Sequence, residues 1–126
     1  MHELAICQGL VDEVARVARA QGADEVQAVT VAVGVLAGVE LGLLERAFTI
    51  ARAGTVAVQA RLDLQSLPAR VACSECGAEA EVAPNRLLCP GCGSWQVRVV
   101  GGDELLLTRV ELTRAAPADA QPLPLQ

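Results

Sequence analysis

Apolar residues near the start of the chain recur at steps of three and four. Leu4, Cys7, Val11, Val14 and Ala18 follow this step, with Leu10 and Val17 beside them. That step puts them on one face of an amphipathic helix, predicted to begin almost at the first residue and to stop near Gly22, a suitable C-terminal cap. From Val26 to Val35 the step falls to two, through Val29, Val31, Val33 and Val35, which predicts a strand. Its other positions, Ala28, Thr30 and Ala32, are small and only weakly polar, so both faces are expected to be covered. Val39 to Ala53 returns to helical spacing through Leu43, Leu44, Ala47, Phe48 and Ala51, and Gly54 ends it. Strict alternation from Val56 to Leu64 predicts a half-wet strand, with Val56, Val58, Ala60, Leu62 and Leu64 inside. Leu105 to Leu112 gives a third.

The strand–helix–strand order suggests a crossover joining two parallel strands. Between the second and third strands lies a cysteine-bearing segment, opened by Pro68 and closed by Gly101-Gly102, which are natural hinge residues. The fold class expected is α+β: a small mixed three-stranded sheet with two helices, plus an inserted four-cysteine, zinc-ribbon-like lobe. By domain, residues 1–67 with 103–114 form a discontinuous α/β domain and residues 68–102 a metal-binding one. The Ala- and Pro-rich stretch 115–126 lacks periodicity and is read as a disordered tail.

Composition narrows the function. The 126 residues are 52% hydrophobic, yet Trp95 and Phe48 are the only aromatics, so the core must be built of Val, Leu, Ala and Ile. All ten positive charges are arginine, against fifteen Asp and Glu, for a net charge of −5. That balance disfavours nucleic acid, which needs clustered cations. The longest uncharged run, fourteen residues between Glu25 and Glu40, is too short to span a membrane. With no secretory signal, five cysteines point to a reducing compartment, the cytoplasm, and to metal before disulfides.

The cysteines carry the clearest chemistry. Cys73-Ser-Glu-Cys76 and Cys89-Pro-Gly-Cys92 are separated by twelve residues, and each pair is followed by a glycine, Gly77 or Gly93. A C-x2-C pair binds one ion from a single tight turn, and the next residue needs a backbone angle that glycine adopts readily. Two such turns supply the all-sulfur tetrahedral shell that zinc favours in closed structural sites. The competing reading of each pair, a redox dithiol, weakens once both are present. Four thiolates leave no open position, so the zinc is structural and its loss should unfold the lobe.

The only histidine is His2. On residue type alone it is a frayed polar terminus, and Glu3 simply complements the helix dipole. A second reading is chemical. A free α-amine, the following backbone amides and the His2 imidazole are compact nitrogen donors suited to a square-planar ion, Ni(II) or Cu(II). Cys7, on the apolar stripe, reads as a buried core residue close enough to His2 for a secondary metal contact. Trp95 reads as packing for the zinc lobe.

The chain resembles the HypA family of hydrogenase-maturation nickel metallochaperones. The likeness runs from Met1-His2-Glu3-Leu4 through the valine strand ending at Gly34, Ala47-Phe48, Gly54-Thr55 and Ala60-Arg61-Leu62. It continues with Cys89-Pro90-Gly91-Cys92-Gly93-Ser94, Gly102-Asp103-Glu104-Leu105 and Val110-Glu111-Leu112. This resemblance implies a nickel site at the Met1 amine, the His2 imidazole and backbone, and Glu3, with Glu40 a secondary acid near nickel. It implies nickel as transient cargo, a GTPase partner, the large subunit of [NiFe]-hydrogenase as recipient, and in some organisms urease. It leaves room for a weak homodimer. Ala5 departs from the serine frequent in the family, and nothing in the nickel chemistry depends on it. Two alternatives compete: a zinc ribbon recognising protein or nucleic acid, which leaves His2 unexplained, and a zinc hydrolase, which lacks a second histidine and an open metal position.

Overall fold

A computed structural model describes residues 3–114 of the chain. The readings made above of Met1, His2 and the 115–126 stretch lie outside the described residues. Among the described residues, two helices and six strands follow in the order α1 (Glu3–Ala20), β1 (Glu25–Gly34), α2 (Leu41–Ala51), β2 (Arg61–Leu67), β3 (Ala69–Cys73), β4 (Glu79–Val82), β5 (Val97–Gly101) and β6 (Leu105–Thr113). They form two three-stranded sheets, ordered β2-β1-β6 and β4-β3-β5. The chain divides into two compact units. One is Met1–Thr30 with Glu40–Asp63 and Leu107–Gln126; the other is Val31–Val39 with Leu64–Leu106.

The first sheet is mixed, as expected. The Val35 N–H donates to the Leu67 carbonyl at 2.9 Å, so the C-terminal ends of β1 and β2 meet and the pair is parallel. Gly34 N–H donates to Glu104 O and Asp24 N–H to Thr113 O, bonds at opposite ends that make β1 and β6 antiparallel. β1 is the central strand and is buried on both faces from Ala28 to Gly34, which explains its nearly unbroken apolar run. The outer strands keep one wet side, where Arg61 pairs with Asp63 at 3.0 Å and Arg109 with Glu111 at 3.4 Å.

In the first unit α1 buries Glu3, Cys7, Leu10, Val11, Val14 and Ala18. The stripe anticipated from sequence is thus rotated slightly at its start, because Leu4 is 40% exposed and Glu3 lies inside. α2 packs on α1. It buries Leu44, Ala47 and Phe48, each large side chain stabilising the core by about 1.5–3 kcal/mol. α2 is two residues shorter at each end than its periodicity suggested, because its first turn is fixed by a cap: the Glu40 carboxylate accepts from Gly42 N–H and Leu43 N–H, both at 3.0 Å.

The expected strand from Val56 begins only at Arg61. Residues 52–60 instead wind through turns. Thr55 Oγ1 donates to Arg52 O at 2.6 Å and accepts from Ala57 N–H at 3.1 Å, and Val58 and Ala60 N–H bond back to Thr55 and Ala57 carbonyls. The buried positions are Ala57 and Ala60, three apart, while Val58 is 46% exposed. Local side-chain bonds from threonine outcompete the alternating pattern here.

The second unit holds a small antiparallel sheet that periodicity did not reveal. β3 pairs with β4 from Ala69↔Val82 to Ala72↔Glu79 and with β5 from Arg70↔Gly101 to Cys73↔Val97, with a bulge between Arg70 and Val71. Its core is only Ala69, Val71, Ala72 and the two buried thiols of Cys73 and Cys89. The Pro68 and Gly101-Gly102 boundary is close-packed. Gly102, at φ 95°, donates its N–H to Glu104 Oε1 at 2.7 Å, and its carbonyl accepts from Leu36 N–H at 2.6 Å.

Candidate metal centre

β3 ends on Cys73, and the chain then turns so that Gly77 N–H donates to Cys73 O at 3.0 Å while Cys73 N–H donates to Ala78 O at 2.8 Å. The second knuckle repeats this pattern: Gly93 N–H donates to Cys89 O at 2.8 Å and Cys89 N–H to Ser94 O at 2.9 Å. Gly77 and Gly93 sit at φ 77° and 76°, the left-handed region that the sequence required of them. Ser74 N–H and Oγ both donate to the Gln96 carbonyl, at 3.0 and 2.8 Å, tying the first knuckle to the start of β5. Ser74 and Gln96 went unremarked in the sequence because backbone carbonyls leave no trace there.

The two turns bring four sulfurs together. Cys73 Sγ lies 3.6 Å from Cys92 Sγ and Cys76 Sγ 3.6 Å from Cys89 Sγ, and all four lie within 4.8 Å of one another. A tetrahedral zinc–thiolate centre with bonds near 2.3 Å places its sulfurs about 3.8 Å apart, so the cluster has the dimensions of a site that could hold a zinc ion. Cys73 and Cys89 are buried, Cys76 and Cys92 exposed.

Electrostatics divide the four along the same line. The Cys76 amide and then that of Glu75 donate to Cys73 Sγ, at 3.4 and 3.3 Å, and hold its pKa below the ordinary thiol value. Amides of Cys92 and Gly91 lower Cys89 to about 7. At Cys92 the Ser94 amide favours the thiolate, but the adjacent Cys73 and Cys89 sulfurs outweigh it and push the group up to about 12. Cys76 is likewise raised by Cys89 and Cys73 against the Ala78 amide. Four thiolates this close repel, and a divalent cation removes the conflict.

Cys7 stands apart from this cluster. It is fully buried and donates to the Leu44 carbonyl at 3.4 Å. Burial first, and the Glu3 charge second, push it up to about 11. It is the core residue expected. Glu3, 7% exposed, accepts from the Glu40 N–H at 3.4 Å, so the structure brings these two acids together at the start of α2. The residue pattern gave no sign of that contact between residues far apart in the chain; only the resemblance set Glu40 near the site that includes Glu3. Trp95 departs from expectation: it is 74% exposed and does not pack the lobe.

Residues 1–112 match the family model described as hydrogenase/urease nickel incorporation, metallochaperone, hypA. The chain belongs to the HypA family. Among curated relatives, the HypA hydrogenase maturation factor of Nitrosospira multiformis is 47% identical over 112 residues, covering 89% of this chain and 97% of the relative. That of Aquifex aeolicus is 40% identical over the same shares. The solution structure of the Ni metallochaperone HypA from Helicobacter pylori superposes with a TM-score of 0.70 at 24% identity, covering 90% of this chain and 99% of that one. At that identity it supports the fold alone. HypA is a metallochaperone family, not an enzyme family, and its work in hydrogenase nickel incorporation implies hydrogenase-related partners. No helix among the described residues is long and apolar enough to cross a membrane.

Proposed function

We propose that this chain is a nickel metallochaperone that binds Ni(II) at its N-terminus and assists its insertion into the large subunit of [NiFe]-hydrogenase, working with a GTPase partner in the cytoplasm. The observation that carries the reading is the family match over residues 1–112, which includes the Met1-His2-Glu3 start. The ligands proposed are the Met1 amine, the His2 imidazole and amide, and the Glu3 amide. Deprotonated amides are strong-field donors suited to a square-planar d8 ion. The Glu3 side chain is turned inward to Glu40, which favours a positioning role for its carboxylate. Glu40 is engaged as the cap of α2, which favours an indirect role near nickel over ligation.

The ion at the four cysteines is taken to be Zn(II), held by Cys73, Cys76, Cys89 and Cys92. It would supply cross-linking energy to a lobe with little core, and the closed sulfur shell leaves no place for substrate. Residues 1–67 with 103–114 are then the nickel-binding part and 68–102 the zinc-binding part. A chaperone must release its cargo, so protons competing for the amine, amides and imidazole should weaken nickel binding as pH falls.

The test is nickel calorimetry on untagged, zinc-loaded protein, with His2→Ala beside the parent. The parent should bind nickel and His2→Ala should lose it while zinc content persists. Equal binding by both, or by neither, overturns the N-terminal site and leaves a zinc-ribbon interaction module as the better account.

A further inference from the structure

The two edges of the cysteine-bearing sheet are unlike each other. β4 is four residues long and carries Glu79 and Glu81, both 4.0 Å from Arg70. A short, charged edge of this kind resists addition of another strand. β5, at the opposite edge, reads Val-Arg-Val-Val-Gly and leaves Val99 and Val100 each 39% exposed. Just before it stands Trp95, the only tryptophan in the chain and its most exposed large apolar side chain among the described residues, in a protein with two aromatics. Trp95, Ser74, Gln96, Val97 and Arg98 line one shallow hollow.

Charge adds to this hollow. Arg16, Arg61, Arg70 and Arg109 each have a carboxylate partner. Arg98 has none among the described residues, as is also so of Arg19, Arg46, Arg52, Arg86 and Arg114, and of these it is the one that lines the hollow beside Trp95. Tryptophan and arginine side by side are the residue types that dominate binding energy at protein interfaces.

We propose that the free edge of β5, with Trp95 and Arg98, is a docking site for an extended acidic segment of a partner protein, which adds to the ribbon as a fourth strand. Main-chain hydrogen bonds to β5 would supply affinity, Val99 would cover the apolar side chains on one face of the added strand, and Arg98, on the other face beside Trp95, would select an acid there. A second copy of this chain is the less suitable occupant, because β5 reads Val-Arg-Val-Val-Gly and offers no acid to meet Arg98. The proposal does not depend on where nickel binds.

Trp95 is its own reporter. The full, zinc-loaded chain is titrated with a short synthetic peptide alternating valine and glutamate, and in parallel with one alternating valine and lysine. The glutamate peptide should shift Trp95 emission to the blue and shield it from acrylamide, and the lysine peptide should not. Arg98→Glu should weaken the glutamate peptide by about fivefold or more and favour the lysine peptide, with zinc content unchanged. Any of three results overturns the proposal: no response to the glutamate peptide, equal responses to both peptides, or equal glutamate-peptide affinity in Arg98→Glu. A blue shift that grows with protein concentration alone also overturns it and assigns the edge to a second copy.

Discussion

Gly34 ends β1 against the backbone of Gly102, and replacing it with alanine tests whether that junction is a clasp or a hinge. A Cβ there would fall 2.0 Å from the Gly102 carbonyl oxygen, 2.2 Å from its carbon and 2.8 Å from the Asp103 nitrogen. All three are backbone atoms, so no rotamer change relieves the clash. The chain must separate, and two hydrogen bonds go with it: Leu36 N–H to Gly102 O at 2.6 Å and Gly34 N–H to Glu104 O at 2.8 Å. Overpacking costs about 1–3 kcal/mol and each of the two lost bonds about 0.5–1.5 kcal/mol, giving roughly 2–6 kcal/mol in all. Gly102 itself cannot yield cheaply, since it sits at φ 95° with its own Cβ direction blocked 2.6 Å away by Ala69 Cα and Pro68 O. Urea denaturation of the zinc-loaded protein should show a lower midpoint at unchanged slope. Gly9→Ala is the control: it lies in an exposed helix interior with nothing within 4 Å, and should stabilise by about 0.5–1 kcal/mol. If Gly34→Ala stays within about 0.5 kcal/mol of the parent while Gly9→Ala behaves, the junction yields, and the hinge reading of Pro68 and Gly101-Gly102 is restored.

Three further outcomes can be checked. Glu40→Ala removes the α2 cap and should cost about 0.5–2 kcal/mol in thermal melts while leaving nickel stoichiometry intact; loss of nickel binding would make Glu40 a ligand instead. Cys7 has a folded pKa raised to about 11 from an ordinary thiol value of 9.0, so its contribution is complete below pH 9 and is lost as pH rises towards 11. Melting temperature should therefore fall over that window, and Cys7→Ala should flatten the fall; an identical profile in the variant would show that Cys7 is not its source. Stripping zinc with a strong chelator should collapse amide protection in β3, β4 and β5 and spare α1 and α2, as hydrogen exchange would show; a lobe that stays protected without metal would refute the structural role given to the four cysteines.

Much of the site was legible in the sequence because its determinants are local. C-x2-C followed by glycine encodes a knuckle within five residues, and both knuckles fold as that pattern requires, with Gly77 and Gly93 at positive φ. The helical stripe of α1 and the unbroken apolar run of β1 were legible for the same reason, since one element's period reports how many of its faces are covered. What failed depended on competition between distant or main-chain groups. Val56 to Ala60 alternates as a strand should, yet Thr55 binds its neighbours' backbone and winds the segment into turns. β3 to β5 were invisible because strands of four or five residues, edged by Glu79, Glu81 and Arg98, carry too few apolar positions to show a period.

The sequence by itself therefore determined the chemistry: four thiolates in two tight turns, one histidine at position 2, and an acidic surface without lysine. Tertiary structure alone decided where that chemistry faces. It turned Glu3 inward to the Glu40 amide, closed Gly34 on Gly102, buried Cys73 and Cys89 while leaving Cys76 and Cys92 exposed, and left Trp95 in solvent. The physical reason is that ligand type and turn angle are properties of a few adjacent residues, whereas burial is a property of whatever the rest of the chain brings alongside.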